Sequence, residues 1–237
     1  INVYVIEGAK KSAIGSASDG DVIMVSAETF LPVDTLNTHG KSISIRGSVD
    51  GQGVPVTIID GQDSILVLRC ESGEGKDTVF ENLVITGGTG GMSNFNSSPT
   101  LLNCIFKDNN GEGSAGGMHN WESSPDLTDC VFDGNSSWNG GAMVCTVSSS
   151  PMLENCTFVD NIATNTGGGI LIASSCMPRL NNCAFINNTA SIEGGGIWCC
   201  CNSTPKISWT VLCGNAPEQI YGPWLNYGGT CLSLVCR

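Results

Sequence analysis

The stretch 151–170 reads PMLENCTFVDNIATNTGGGI, and its features recur through the second half of the chain. Four of the five copies have a cysteine five residues after the proline, a phenylalanine two residues further on and an asparagine three residues after that, and the fifth copy keeps only the asparagine, Asn215. A glycine cluster and an apolar residue close the copy. The prolines lie 26 or 27 residues apart, at Pro99, Pro125, Pro151, Pro178 and Pro205. A phase kept over several periods indicates a repeat architecture.

Each repeat predicts short strands that alternate with sharp corners. The cysteine and the phenylalanine are two residues apart and therefore share one face of an extended segment. Gly, Asn, Ser and Pro separate the apolar pieces, and no copy has the length of helical periodicity that a helix pair needs. One coil cannot bury its apolar face alone, but stacked coils can. The predicted ladders of like residues are Cys104, Cys130, Cys156 and Cys183; Phe106, Phe132, Phe158 and Phe185; and Asn109, Asn135, Asn161 and Asn188.

These repeats predict an all-β fold, a single-stranded parallel β-helix whose rungs stack about 4.8 Å apart. The asparagine of each copy is expected at a corner in a left-handed conformation, with its amide bonded to the rungs above and below. The motif Phe-x-x-Asn followed by Gly-Gly-(Ala or Gly)-(Ile or Met) resembles the repeat of the chlamydial polymorphic outer membrane proteins. More broadly, the chain resembles the right-handed β-helix, pectate-lyase-like superfamily over residues 78–215, which implies a right-handed coil. Because that fold hosts many chemistries, the resemblance implies no particular reaction.

The chain is predicted to be one domain, 1–237, in four parts. Residues 1–20 read as a strand and a short helix over residues 9–17, and the helix is expected to cap the open first rung. Residues 21–97 form irregular rungs, and 98–215 form the regular ones. The stretch 216–237 breaks the repeat and is expected to cap the other end. Capping matters because an exposed edge of unpaired backbone groups invites aggregation.

The charge balance restricts the partners. The net charge is −12 and the pI is about 4.3, which argues against nucleic acid and anionic membranes, since both bind basic surfaces. The electrostatic field of this negative net charge would also repel an anionic polysaccharide, which makes such a ligand less favoured. No apolar run approaches the roughly 20 residues of a membrane span, so no membrane insertion is expected.

Thirteen cysteines are the second unusual feature of the composition. The four in the ladder face inward, where parallel stacking is poor disulfide geometry, so free buried thiols are expected there. Disulfides are expected instead among Cys213, Cys231 and Cys236. The run Cys199-Cys200-Cys201 lacks the spacing and the histidine of a zinc site.

The sequence lacks the recognisable catalytic motifs of β-helix enzymes. It has no Asn-Thr-Asp or Gly-His-Gly of polygalacturonase type and no Asp-Pro-His-Glu of epimerase type. Basic residues are sparse in the repeats, which disfavours a lyase-like site with a positioned Arg or Lys base. No cofactor is therefore expected, although the corner residues Asp108, Asp133 and Asp160 could hold calcium if they align.

One rung carries the best candidates for a surface site. His119 and Glu122 could form an acid/base pair, and exposed aromatic residues could stack on sugar rings. The candidate ligand-binding residues are Trp121, Trp138, Glu112 and Trp198, where Trp198 holds the place of His119 three rungs later. The alternative is that all of these are ordinary outward residues of a long coil.

Three functions remain open at this point. The first is an extracellular, cell-surface or virion module, structural or adhesive, that binds a polysaccharide or a protein without catalysis. The second is a polysaccharide lyase or glycoside hydrolase, such as a phage tailspike-type depolymerase. The third is a homo-oligomeric subunit of a filament, sheath or virion.

Overall fold

A computed structural model describes residues 3–6 and 12–233 of the chain. One short helix, α1 (Ser12–Ser16), precedes almost all of the β structure. The strands of the described part are, in chain order, β1 (Val3–Ile6), β2 (Val22–Val25), β3 (Thr29–Phe30), β4 (Leu36–Asn37), β5 (Ser44–Arg46), β6 (Thr57–Asp60), β7 (Leu68–Cys70), β8 (Val79–Glu81), β9 (Leu83–Thr86), β10 (Met92–Phe95), β11 (Thr100–Leu102), β12 (Ile105–Lys107), β13 (Asn110–Gly111), β14 (Met118–Trp121), β15 (Asp126–Thr128), β16 (Val131–Asp133), β17 (Ser136–Ser137), β18 (Met143–Thr146), β19 (Met152–Glu154), β20 (Thr157–Val159), β21 (Ile162–Ala163), β22 (Ile170–Ile172), β23 (Arg179–Asn181), β24 (Ala184–Ile186), β25 (Thr189–Ala190), β26 (Ile197–Cys199), β27 (Lys206–Ser208), β28 (Val211–Cys213), β29 (Ile220–Tyr221), β30 (Leu225–Asn226) and β31 (Cys231–Ser233).

The strands form parallel sheets that run along the coil, as the repeat predicted. Sheet A has the order β1-β2-β5-β8-β11-β15-β19-β23-β27-β30, and sheet B has β3-β6-β9-β12-β16-β20-β24-β28-β31. Sheet C runs β4-β7-β10-β14-β18-β22-β26-β29, and the short sheet D runs β13-β17-β21-β25. Each strand pairs with the strand one repeat later, so the fold is a parallel β-helix of about eight turns.

The predicted inward columns are present in the core. The rings of Phe106, Phe132, Phe158 and Phe185 stack with centroids 4.5–4.8 Å apart and interplanar angles of 5° or less. The four ladder cysteines and the leucines beside them are fully or almost fully buried. Parallel pairing in register places like side chains on top of one another, so each repeat extends the same core by one layer.

The asparagine ladder is confirmed, but its backbone conformation differs from the prediction. The left-handed residue at that corner is the one before the ladder asparagine, such as Asp108 at φ 50° or Asp160 at φ 54°. The ladder asparagine itself turns inward and is buried. Asn161, for example, donates from Nδ2 to Asn188 Oδ1 at 2.8 Å and to the Phe132 carbonyl at 2.9 Å. Its role is therefore to satisfy buried backbone groups where the strands stop pairing.

A second polar group lies in the interior of an early rung. Glu74 is 2% exposed, and its carboxylate accepts four hydrogen bonds of 2.8–2.9 Å from Thr38 Oγ1, the Gly40 and Ser72 amides and Ser97 Oγ. Burial raises the pKa of this carboxyl, but the hydrogen bonds outweigh burial and hold the pKa below its ordinary value. Glu74 therefore joins three rungs as a buried, ionised anchor.

Both ends of the coil continue the same layers. At the N-terminal end, Ile14 and Ala17 are buried in the core, and Lys41 Nζ donates to the carbonyl oxygens of Ile14 and Gly15. The predicted helix also included residues 9–11, which lie outside the described residues. At the other end, the stretch expected as a cap supplies β29, β30 and β31, which are the last strands of sheets C, A and B. It therefore forms a further rung as far as it is described.

The cysteines follow the expectation in part. The ladder thiols are free and buried, and Cys213 is disulfide-bonded, whereas Cys236 lies outside the described residues. The expectation for Cys231 is wrong, because its thiol is free and exposed. A bond that the spacing did not suggest joins the neighbours Cys200 and Cys201. Within residues 3–6 and 12–233, no helix has the length and hydropathy to span a bilayer.

Candidate functional site

The outer face of sheet C carries a band of uncharged side chains from β10 to β29. Alternation within each strand points one set of residues into the core and the other set outward. We call the outward set the sheet C strip. Its members are Ser93, Phe95, His119, Trp121, Val144, Thr146, Leu171, Ala173, Trp198 and Tyr221, as the register of neighbouring strands shows.

Aromatic rings occupy both ends of the strip. Phe95 and Trp121 stack with centroids 6.3 Å apart and an interplanar angle of 18°, and both are exposed. Trp198 and Tyr221 stack at 6.4 Å with an interplanar angle of 5°. Trp121 and Trp198 are three rungs apart, which is about 14 Å along the coil axis. The strip therefore offers two flat apolar platforms with a neutral floor between them.

The centre of the strip is covered from the side. Val144 and Leu171 are buried although they point outward, because Ala115 from a corner loop packs against them. Trp198 packs on the same cluster, and its Nε1 donates to Glu193 Oε2 at 3.1 Å. These contacts restrain the Trp198 indole.

His119 lies on the strip beside Trp121, and its imidazole meets the indole edge-on at 6.5 Å and 81°. Burial lowers the pKa of His119 below its ordinary value of 6.5. The imidazole is therefore neutral at pH 7 and can accept a proton.

The predicted partner of His119 is not bonded to it. Glu122 is exposed and follows β14 directly, in a left-handed conformation at φ 49°. In the described part of the chain, neither a hydrogen bond nor an ion pair joins the two residues. The corner turns Glu122 out of the alternation that places His119 on the strip. The two residues stay neighbours in sequence without forming an acid/base pair in this structure.

Two other predicted residues lie beside the strip in corner loops. Glu112 follows β13, and Trp138 follows β17 and is 55% exposed. Sequence reasoning missed Phe95 and Tyr221, which extend the strip by one rung at each end. Alternation in β10 could have indicated Phe95, because Met92 and Asn94 share the phase of the buried residues. The sequence around Tyr221 lacks the repeat motif and carried no such signal.

The three aspartates proposed for calcium do not align. Asp108 and Asp160 share one corner column, but Gly134 stands between them, so they are two rungs or about 10 Å apart. Asp133 belongs to the neighbouring column and pairs with Lys107 Nζ at 3.2 Å. Among the residues that the structure describes, no group of three or more His, Cys, Asp or Glu side chains is placed to hold a metal ion.

Comparison with known families places residues 42–212 in a family described as "Right handed beta helix region". The match covers well over half of the chain and includes every rung of the sheet C strip except the last. No curated protein sequence matches the chain. The family match agrees with the broader of the two resemblances, whereas the likeness to the chlamydial repeat stays a prediction.

Solved structures show the same fold at low identity. Pectate lyase Pel9A superposes with a TM-score of 0.62 at 15% identity, over 96% of this chain and 67% of that one. The pectin methylesterase of Aspergillus niger, in deglycosylated form, gives 0.56 at 11% identity, over 93% and 80%. The PL6 family alginate lyase AlyGC gives 0.54 at 11% identity, over 99% of this chain but 39% of that one. At such identities the likeness shows the fold alone.

Proposed function

This chain belongs to the right-handed β-helix family, and we propose that it is an extracellular or surface-exposed module that binds a polysaccharide along the sheet C strip without transforming it. The three similar structures are of proteins whose names describe action on polysaccharides. A stiff coil with one uncharged face suits a linear polymer, because successive rungs repeat their contacts along the polymer axis.

The lack of charge and the exposed aromatic rings of the sheet C strip support this proposal. The chain has a net charge of −12, yet every residue of the sheet C strip is uncharged at pH 7. The exposed rings of Phe95, Trp121 and Tyr221 lie in one band. Exposed aromatic patches mark binding sites on soluble proteins, and the strip has one such patch at each end of its covered centre. A neutral glycan fits such a band better than an anionic one, since no cation lies on the strip and the net charge repels anions.

A glycan array tests the binding. The native chain should bind at least one neutral glycan, and Trp121→Ala should weaken binding about tenfold, because one stacked ring is lost. Trp209→Asn is the matched control. Trp209 is 66% exposed at the corner between sheets A and B, and Asn occupies that corner in other rungs such as Asn155 and Asn182. Equal effects of the two substitutions, or binding of no glycan, would rule out the strip as the site.

A polysaccharide-cleaving enzyme is the second candidate, and His119 favours it. A neutral, half-buried imidazole on the strip can serve as a general base, and Glu122 or Glu112 would have to reach the same bond as the acid. Incubation with a panel of neutral and uronate polysaccharides would then release reducing ends or unsaturated products. Loss of that release in His119→Gln, with glycan binding retained, would establish the enzyme and refute the non-catalytic proposal. Binding without any product would support the module.

A further inference from the structure

The cations of this acidic protein are distributed unevenly. The described residues include seven cationic side chains, of which four form ion pairs: Arg46 with Glu81, Arg69 with Glu71, Lys76 with Asp126 and Lys107 with Asp133. Lys41 instead binds carbonyl oxygens at the helix. Among the described residues this leaves Arg179 and Lys206 without a carboxylate within 4 Å.

These two cations are direct neighbours. Arg179 on β23 pairs in register with Lys206 on β27, and both side chains point outward from sheet A. Their Cα atoms are therefore about 4.8 Å apart. Like charges directly opposite one another destabilise a sheet. In a chain with 22 acidic residues, two adjacent uncompensated cations indicate a local requirement for an anion.

The carboxylates nearest to these two cations interact with other residues. Glu154 lies on the strand next to Arg179, but both of its oxygens accept hydrogen bonds from Asn181 Nδ2, at 2.7 and 2.9 Å. Asp126, one rung beyond Met152 in the same column, pairs with Lys76 Nζ at 2.7 Å. Among the residues that the structure describes, neither carboxylate therefore pairs with Arg179 or Lys206, and an anion from outside the chain can do so.

Apolar and polar groups complete a shallow groove around the cations. Its lining comprises Ser150, Met152, Met177, Arg179 and Lys206. Met152 and Met177 are 48% and 53% exposed. The Ser150 hydroxyl accepts a hydrogen bond from the Met177 amide at 2.9 Å, and its proton remains available to a ligand. Lys206 Nζ lies 5.7 Å from the centre of the Tyr227 ring, which restrains the ammonium group.

We infer that this groove on sheet A binds an acidic segment of a partner protein, with a carboxylate on Arg179 and Lys206 and an apolar side chain on Met152 and Met177. The guanidinium group can hold a carboxylate through two parallel hydrogen bonds, and the ammonium group adds a point charge. Methionine is unbranched and polarisable, so it adapts to apolar side chains of varied shape.

A protein partner fits this groove better than an acidic sugar. Sugar rings stack on flat aromatic faces, and the sheet C strip supplies those on a different sheet. Among the residues that line the groove, the apolar surface is thioether, and the nearby Tyr227 ring has Lys206 over one of its faces. The inference is independent of glycan binding, because the groove and the strip share no residue.

Fluorescence anisotropy with labelled peptides tests the inference. The probe is a short peptide of alternating Glu and Leu, and its comparison is the same peptide with Gln for Glu. The native chain should bind the Glu peptide, more weakly as salt rises, and should not bind the Gln peptide. Arg179→Gln and Lys206→Gln should each weaken binding about tenfold. Lys107→Gln changes the net charge equally on sheet B and should leave binding unchanged. Met177→Ser should weaken binding without altering its salt dependence.

The outcomes separate the alternatives. Equal weakening by Lys107→Gln would show that only net charge matters and would overturn the site. Binding of an oligomer of uronic acid, lost in Arg179→Gln while the Glu peptide fails to bind, would replace the protein partner by an acidic sugar. No binding of either probe would also overturn the inference. Unchanged thermal unfolding of each variant shows that its fold is intact.

Discussion

Replacement of Asn161 by alanine should remove a large part of the stability of the coil. Asn161 Oδ1 accepts hydrogen bonds from the Asn135 amide at 3.0 Å and from Asn135 Nδ2 at 3.0 Å, and both residues are buried. Alanine leaves these two donors without an acceptor in a dry interior. An orphaned buried donor costs about 1–3 kcal/mol, so the free energy of unfolding should fall by about 4 kcal/mol.

Thermal and urea unfolding followed by circular dichroism measure this loss. For a chain of this size, about 4 kcal/mol corresponds to a fall in Tm of roughly 12 °C. Asn155→Gly is the matched control. Asn155 lies in the same rung with φ 56°. Its side-chain amide forms hydrogen bonds with Asp129 and Asn182 at the exposed surface. Glycine accepts that conformation, so the control should lose less than about 1 kcal/mol. Equal losses in the two variants would refute the stabilising role of the buried ladder.

Two further predictions concern titration and thiol chemistry. The lowered pKa of His119 means that the unfolded chain binds more protons just below pH 6.5, so acidification from pH 7.5 to 5.5 should lower the Tm of the native chain relative to that of His119→Gln. An equal change of Tm in both chains would contradict the assignment. Ellman's reagent should react rapidly with Cys231, because its thiol is exposed. Burial raises the pKa of Cys70 to about 12 and that of Cys130 well above its ordinary value. These buried thiols should therefore react only after the chain unfolds. Cys231→Ser should reduce the fast phase by one thiol per chain, and an unchanged amplitude would contradict the exposed placement.

The candidate site was predictable only in pieces. Alternation within β14 is enough to place His119 and Trp121 on one outward face. The stacking of Phe95 on Trp121 depends on the register between β10 and β14, and the sequence indicates that register, because GGM precedes Phe95 at 90–92 as it precedes Trp121 at 116–118. For Glu122, closeness in sequence predicted a contact with His119 that the structure does not have. A left-handed corner turns the Glu122 backbone away.

The all-β coil, the inward columns and the asparagine ladder could be predicted from the sequence, because each is a local pattern repeated at a fixed period. The neighbours of the outward residues could not be predicted in this way, because they depend on how the folded rungs stack. Arg179 and Lys206 are 27 residues apart in the chain, and their juxtaposition in a groove comes from the pairing of β23 with β27. Outward positions are free of packing constraints, so they follow no repeat. Which of them form a common surface becomes clear only when the coil places successive rungs side by side.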